Sequence, residues 1–116
     1  MPNTQDLLTA IYAAFNARDI DTVLEAMHPE VDWPNGWEGG RVRGHDALRD
    51  YWTRQWAVLD PRVEPVAFER DAMGRTVVLV KSAVKDLDGK LVFDAMVTHV
   101  FSIEEGLVRR MDVGPG

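Results

Sequence analysis

The chain has 116 residues, 46% of them apolar and 28% charged, with 13 Lys and Arg against 19 Asp and Glu for a net charge of −6, and it has no cysteine. That length supports one hydrophobic core, so a single domain over 1–116 is expected, while the acidic balance and the lack of a Lys/Arg cluster exclude a phosphate-gripping nucleic-acid partner. The missing cysteines exclude a disulfide frame and thiolate chemistry, and with no apolar run near the roughly 18 residues of a membrane span and a polar start without an export signal, a cytoplasmic protein without membrane contact is expected.

In chain order, Leu8, Ile11, Tyr12 and Phe15 recur at helical spacing behind Asn3 or Thr4, which predicts a capped amphipathic helix over 4–17. Ile20, Val23, Leu24 and Met27 restart the spacing behind Asp19, giving a second short helix that stops before Pro29. Val31 to Trp33 reads as a short extended piece, and 34–43 as a loop long enough for so small a domain to suggest a functional segment. After Gly44, the residues Leu48, Tyr51, Trp52, Gln55, Trp56 and Leu59 share one face of a third helix that Asp60-Pro61 ends. Four strands follow, 63–70, 76–86, 91–103 and 107–113, separated by turn residues at Asp71–Gly74, Asp88-Gly89 and Glu105-Gly106. The expected class is α+β: three helices, then a four-stranded antiparallel meander.

A two-residue turn at Asp88-Gly89 places Val78 opposite His99. One face of the sheet then carries Val78, Val80, Ser82 and Val84 with Phe93, Val97, His99 and Phe101, and this face should meet the helices. The other face keeps Val77, Leu79, Met96 and Val100 between Lys81, Lys85 and Asp94, which predicts a homodimer through the outer sheet face.

Four tryptophans, Trp33, Trp37, Trp52 and Trp56, fall within 33–56, with Gly36, Gly39 and Gly40 between the pairs. Trp52 and Trp56 are one helical turn apart and point the same way. The loop pair has no core of its own to fill, which points to a cavity.

The stretches Phe15-Asn16-Ala17-Arg18-Asp19, Pro29-Glu30-Val31-Asp32-Trp33, Gly44-His45-Asp46-Ala47-Leu48 and His99-Val100-Phe101-Ser102-Ile103, in this order of elements, resemble the SnoaL-like branch of the nuclear transport factor 2-like superfamily over essentially the whole chain. The resemblance implies a cystatin-like cone, in which a curled antiparallel sheet is closed by helices around a pocket. Trp33 and Trp37 would guard its mouth and Trp52 and Trp56 cover one wall, joined by Tyr12, Phe68, Phe93 and Phe101. Ligand contacts are thus expected from Tyr12, Trp33, Asn35, Trp37, Trp52, Trp56, Phe68, Val80, Val97 and Phe101, for a hydrophobic or aromatic small molecule.

The steroid-isomerase branch needs a carboxylate base where this chain has Asn35, a tyrosine where it has Ile11 and a neutral acid where it has His99. An amide cannot take up that proton, so this reaction is excluded. The epoxide-hydrolase and cyclase branches look different, moving a proton with an Asp and Arg, or an Asp with a His. Here His99, Asp112 and Arg110 are the candidates: a two-residue turn at Glu105-Gly106 sets His99 opposite Asp112 as a catalytic dyad, whereas a three-residue turn sets it opposite Met111 and turns Asp112 outward.

Asp32, alternating with Trp33, reads as solvated, and Arg41, Arg43 and His45 as loop charges. His28, His45 and His99 lack metal-ligand spacing and no phosphate-binding glycine loop occurs, so neither metal nor cofactor is expected. A cofactor-independent acid/base enzyme of hydrolase, isomerase or cyclase type is one reading, and a non-catalytic binder or a dimerisation module is the other.

Overall fold

Three helices and six strands form in the order α1 (Thr4–Asn16), α2 (Ile20–Glu25), β1 (Met27–Pro34), β2 (Arg41–Arg43), α3 (His45–Trp56), β3 (Leu59–Arg70), β4 (Thr76–Asp86), β5 (Leu91–Glu104) and β6 (Leu107–Pro115). The computed structural model describes residues 3–115. Asn3 caps α1 by accepting the Asp6 N–H at 2.8 Å, and Asp19 caps α2 through the Thr22 N–H. Arg18 joins these helices to β3: its guanidinium bonds the Asp60 carboxylate and the Pro61 carbonyl. None of the helices in the described residues is long and apolar enough to cross a membrane.

The sheet has the strand order β2-β1-β6-β5-β4-β3, antiparallel except where β1 runs parallel to β6. The expected four-stranded meander is therefore extended by two strands from the segment read as a short extended piece and a loop. The expected cone is not formed either: β2 and β3 are unpaired edges, and the sheet is open rather than strongly curled or closed. Closure would need the edges to bond to each other, and a three-residue β2 offers a twelve-residue β3 little to pair with. Instead α1 lies on β3, and α3 covers β1, β2 and β3, so helices rather than strands bound the interior.

Two bulges set the faces. The β4–β5 turn is one residue longer than expected, since Lys85 pairs with Leu91, but a bulge restores the register, and Val78 does oppose His99. Between β5 and β6 the turn at Glu105-Gly106 has two residues with φ of 55° and 77°, the backbone of a type I′ hairpin. Ile103 then pairs with Val108 and Ser102 with Arg110, so Arg109 is the extra residue and His99 faces Val113. The expected two-residue turn thus forms, but beyond the bulge neither of the two expected partners, Asp112 or Met111, stands opposite His99.

Leu8, Val23, Leu48, Val78, Val80 and Val108 are fully buried between the helices and the sheet. On the outer face Val77, Leu79 and Val100 are half-buried and Met96 is exposed. Asp32, read as solvated, is buried on that side, where Arg41 Nε donates to it at 2.7 Å and Arg110 Nη1 at 3.0 Å. Burial opposes its ionisation, but the Arg41 hydrogen bond and the charges of Arg41, Arg110 and Arg43 outweigh it and hold the carboxyl below its usual range. Arg41 also donates to the carbonyls of Asp32 and Met111, so its one guanidinium ties the edge strand β2 to β1 and β6.

Candidate functional site

A cavity of about 460 Å³ opens between the helices and the inner face of the sheet, within the range of small-molecule sites. Its interior is aromatic. Trp33 of β1 meets Trp52 of α3 edge-on at 5.5 Å and lies 6.2 Å from Phe101 of β5, whose ring in turn stands edge-on to Tyr12 of α1 at 6.1 Å. These four rings come from four different elements, and Trp52 and Phe101 are almost wholly buried. The rim is apolar as well: Trp37, Val92, Phe93 and Val113 line the cavity and are each more than a third exposed.

The loop from Asn35 to Gly40 holds Trp37 at that rim. Asn35 Oδ1 accepts the N–H groups of Trp37 and Glu38, and Gly39 and Gly40, with φ of 89° and 79°, return the chain to β2 along a path that residues with a Cβ rarely follow. Arg54 of α3 fastens the loop by bonding Glu38 at 2.7 Å while its guanidinium lies 5.8 Å from the Trp37 ring centre.

Polar groups are few. Tyr12 Oη and His99 Nδ1 are 2.8 Å apart, and the two rings stack at 5.9 Å with 14° between their planes. Burial pushes the His99 imidazole down to about 4 and raises the Tyr12 hydroxyl further above its ordinary value, so both are uncharged at pH 7. Ser82, Gln55 and Tyr51 are the remaining polar side chains on the wall, and among the described residues no Asp, Glu, Lys or Arg lines the cavity. Such a wall can orient a neutral hydrogen-bonding group, but it holds no carboxylate to act as a base.

Of the expected contacts, Tyr12, Trp33, Trp37, Trp52, Val97 and Phe101 do line the cavity, as does His99, expected as a catalytic residue. Asn35 does not, because its amide is spent inside its own loop. Trp56 stacks parallel to Trp52 at 6.0 Å, behind the wall, beneath the Arg18 guanidinium, and its buried indole N–H has no partner among the described residues. Val80, opposite Val97, is part of the buried core rather than of the wall, and Phe68 is partly buried against that core.

Asp112 is turned away from His99. The bulge at Arg109 puts it opposite Val100, between Met111 and Val113, which both face the cavity. Its carboxylate bonds Arg110 at 2.9 Å and Arg41 at 3.1 Å on the outer side, and those bonds, the one from Arg110 first, hold it below its usual range. The expected His99–Asp112 dyad is thus not assembled. Ile11 and Phe15 of α1 and Tyr51 and Gln55 of α3 belong to the wall although only their helical faces hinted at it.

One grouping of possible metal ligands occurs among the described residues, His28 with Glu104 and Glu105, whose ligand atoms lie within 4.8 Å of one another. It sits at the β5–β6 turn, outside the cavity wall, and its carboxylates are exposed.

A family model described as the SnoaL-like domain matches residues 8–111. No curated protein matches the chain. Among solved structures, a nuclear transport factor 2-like protein of unknown function from Burkholderia pseudomallei superposes with a TM-score of 0.83 at 25% identity, covering 100% of this chain and 92% of that one. TerC, co-crystallised with polyporic acid, gives 0.80 at 29% identity over 95% of this chain and 88% of its own. The epoxide hydrolase/cyclase-like enzyme SalBIII gives 0.79 at 18% identity over 97% and 89%, a likeness of fold alone.

Proposed function

Because the chain belongs to the SnoaL-like domain family, a group with one fold and many chemistries, we propose its function from the cavity itself: it binds a planar, uncharged aromatic small molecule. The observation that carries this reading is the cavity of about 460 Å³ walled by Trp33, Trp52, Phe101 and Tyr12 without a charged side chain. Aromatic walls favour flat ligands through stacked and edge-on contacts. A wall without charges leaves an ionic ligand with no counter-ion to replace its water. TerC, at 29% identity, was co-crystallised with polyporic acid, which supports a small-molecule site in this fold. Binding is favoured over turnover, since Asp112 lies outside and neutral His99 has no carboxylate beside it.

Titration with 9-fluorenone, a flat tricyclic ketone, tests this. Saturable quenching of the tryptophan fluorescence is expected, and its loss in a folded Val97→Trp variant, whose indole fills the cavity. Equal binding by both proteins, or none by the native chain, would overturn the reading.

We also place a second copy of the chain against the outer sheet face, a contact supported by exposed Met96 beside half-buried Val77, Leu79 and Val100. Light scattering is expected to give twice the chain mass; a value near 13.1 kDa would remove the dimer.

A further inference from the structure

Tyr12 and His99 meet at a single hydrogen bond, and which of them donates decides what the cavity wall offers a ligand. The neutral imidazole has one proton for its two nitrogens. If that proton sat on Nδ1, it would be given to Tyr12 Oη, and the Tyr12 hydroxyl proton would have no acceptor, because His99 Nδ1 is the one hydrogen-bond partner of Tyr12 Oη among the described residues. If the phenol donates instead, the Tyr12 O–H goes to Nδ1 and the imidazole proton moves to Nε2, on the cavity side. Either way one proton of the pair faces the cavity, and the second arrangement is favoured because a phenol is a better donor than acceptor while a bare imidazole nitrogen is a strong acceptor.

Nε2 is open to the cavity. His99 lines it, Nε2 has no partner among the described residues, and it is not sealed from solvent, since the one sealed and unpartnered side-chain nitrogen among those residues is Trp56 Nε1. The stacked ring contact, with planes 14° apart, also limits rotation of the imidazole about its Cβ–Cγ bond.

Resting on the ligand-binding reading above, we propose that Tyr12 is a specificity-determining residue: by donating to His99 Nδ1 it fixes the imidazole proton on Nε2, so the cavity selects planar ligands that present a hydrogen-bond acceptor, such as a ketone or quinone oxygen, to the sheet. Ile11, its neighbour on α1, also lines the cavity but has no proton to give.

Three flat tricycles of nearly one shape test the proposal: 9-fluorenone, which accepts; fluorene, which neither accepts nor donates; and carbazole, which donates through N–H. The native protein should bind fluorenone about fivefold more tightly than fluorene, the ratio one neutral hydrogen bond supplies, and carbazole no better than fluorene. Tyr12→Phe should erase the preference for fluorenone while leaving fluorene affinity in place. The ligand-free protein provides an independent readout, the ¹⁵N shifts of the His99 ring at pH 7, which should show Nε2 protonated and Nδ1 bare. Protonated Nδ1, or a fluorenone preference that survives in Tyr12→Phe, would overturn the assignment. Failure of all three tricycles to bind would bring down the ligand-binding reading instead, and the ring shifts would still decide the tautomer.

Discussion

Between pH 6.5 and 4 the native protein will lose about 3 kcal/mol of folding stability that a His99→Gln variant will keep. His99 is buried, and its imidazole is held down to about 4 from an ordinary 6.5. Through that window the unfolded chain binds a proton that the folded chain refuses. Stability is therefore full above pH 6.5 and falls as the pH drops toward 4; at 1.36 kcal/mol per pKa unit this amounts to about 3 kcal/mol. The depressed carboxylates act mainly lower: Asp32, Asp71 and Asp112 lie below the usual Asp value of 3.8 and the exposed Glu38 below 4.5, so only the onset of the Glu38 contribution falls inside this window, and it is common to both proteins. Glutamine leaves the Tyr12 hydroxyl an acceptor while removing the titration. Urea unfolding at half-unit steps should give a sloping native curve and a nearly flat variant curve from 6.5 to 4. Parallel curves would mean that the imidazole is hydrated in the folded protein.

The second large effect is expected at the aromatic wall. Trp52 is 1% exposed and touches Phe15, Trp33 and Trp56. Trp52→Ala should cost about 4 kcal/mol, the usual toll of truncating a buried indole whose neighbours cannot close over the void, out of a total that for such domains is about 5–15 kcal/mol. Trp37→Ala makes the contrast, because Trp37 is 39% exposed and is held by a cation contact at the rim. Its stability cost should stay under about 1 kcal/mol, with the loss appearing in fluorenone affinity. Thermal melts of the two variants measure the difference. Similar melting losses would mean that the loop indole is core and the cavity has no free rim.

Much of this site was legible in the chain because local spacing carries it. The i, i+4 pair Trp52 and Trp56, the helix face through Ile11, Tyr12 and Phe15, and the alternation of Val97, His99 and Phe101 each follow from the period of one element. What local spacing cannot carry is an extra residue inside a strand. The bulge at Arg109 leaves no mark in composition, yet it turns Asp112 from the cavity to the Arg41–Arg110 pair and removes the expected dyad. The β4–β5 register was read correctly through two compensating departures, a longer turn and a bulge.

Contacts between distant segments were equally hidden. The parallel pairing of β1 with β6 draws Val31–Trp33 into the sheet, and nothing around Val31 announces it. The openness of the sheet follows from the three-residue length of β2, where the sequence shows a loop. Trp56 was read as wall from a correct helical phase, but the Trp52 indole lies in front of it, and that is a matter of side-chain packing. Tyr12 and His99 were both expected at the cavity; their hydrogen bond spans 87 residues of sequence and needed the fold to be seen.

The central claim is that the aromatic cavity is where a planar ligand sits, and methyl-resolved NMR of the protein titrated with 9-fluorenone tests it most directly. Shifts concentrated at Ile11, Val97, Met111 and Val113, which line the cavity, with contacts between ligand protons and Trp52 or Phe101, are the predicted result. Saturable binding whose shifts fall on Val77 and Leu79 of the outer face, with the cavity methyls unmoved, would contradict it.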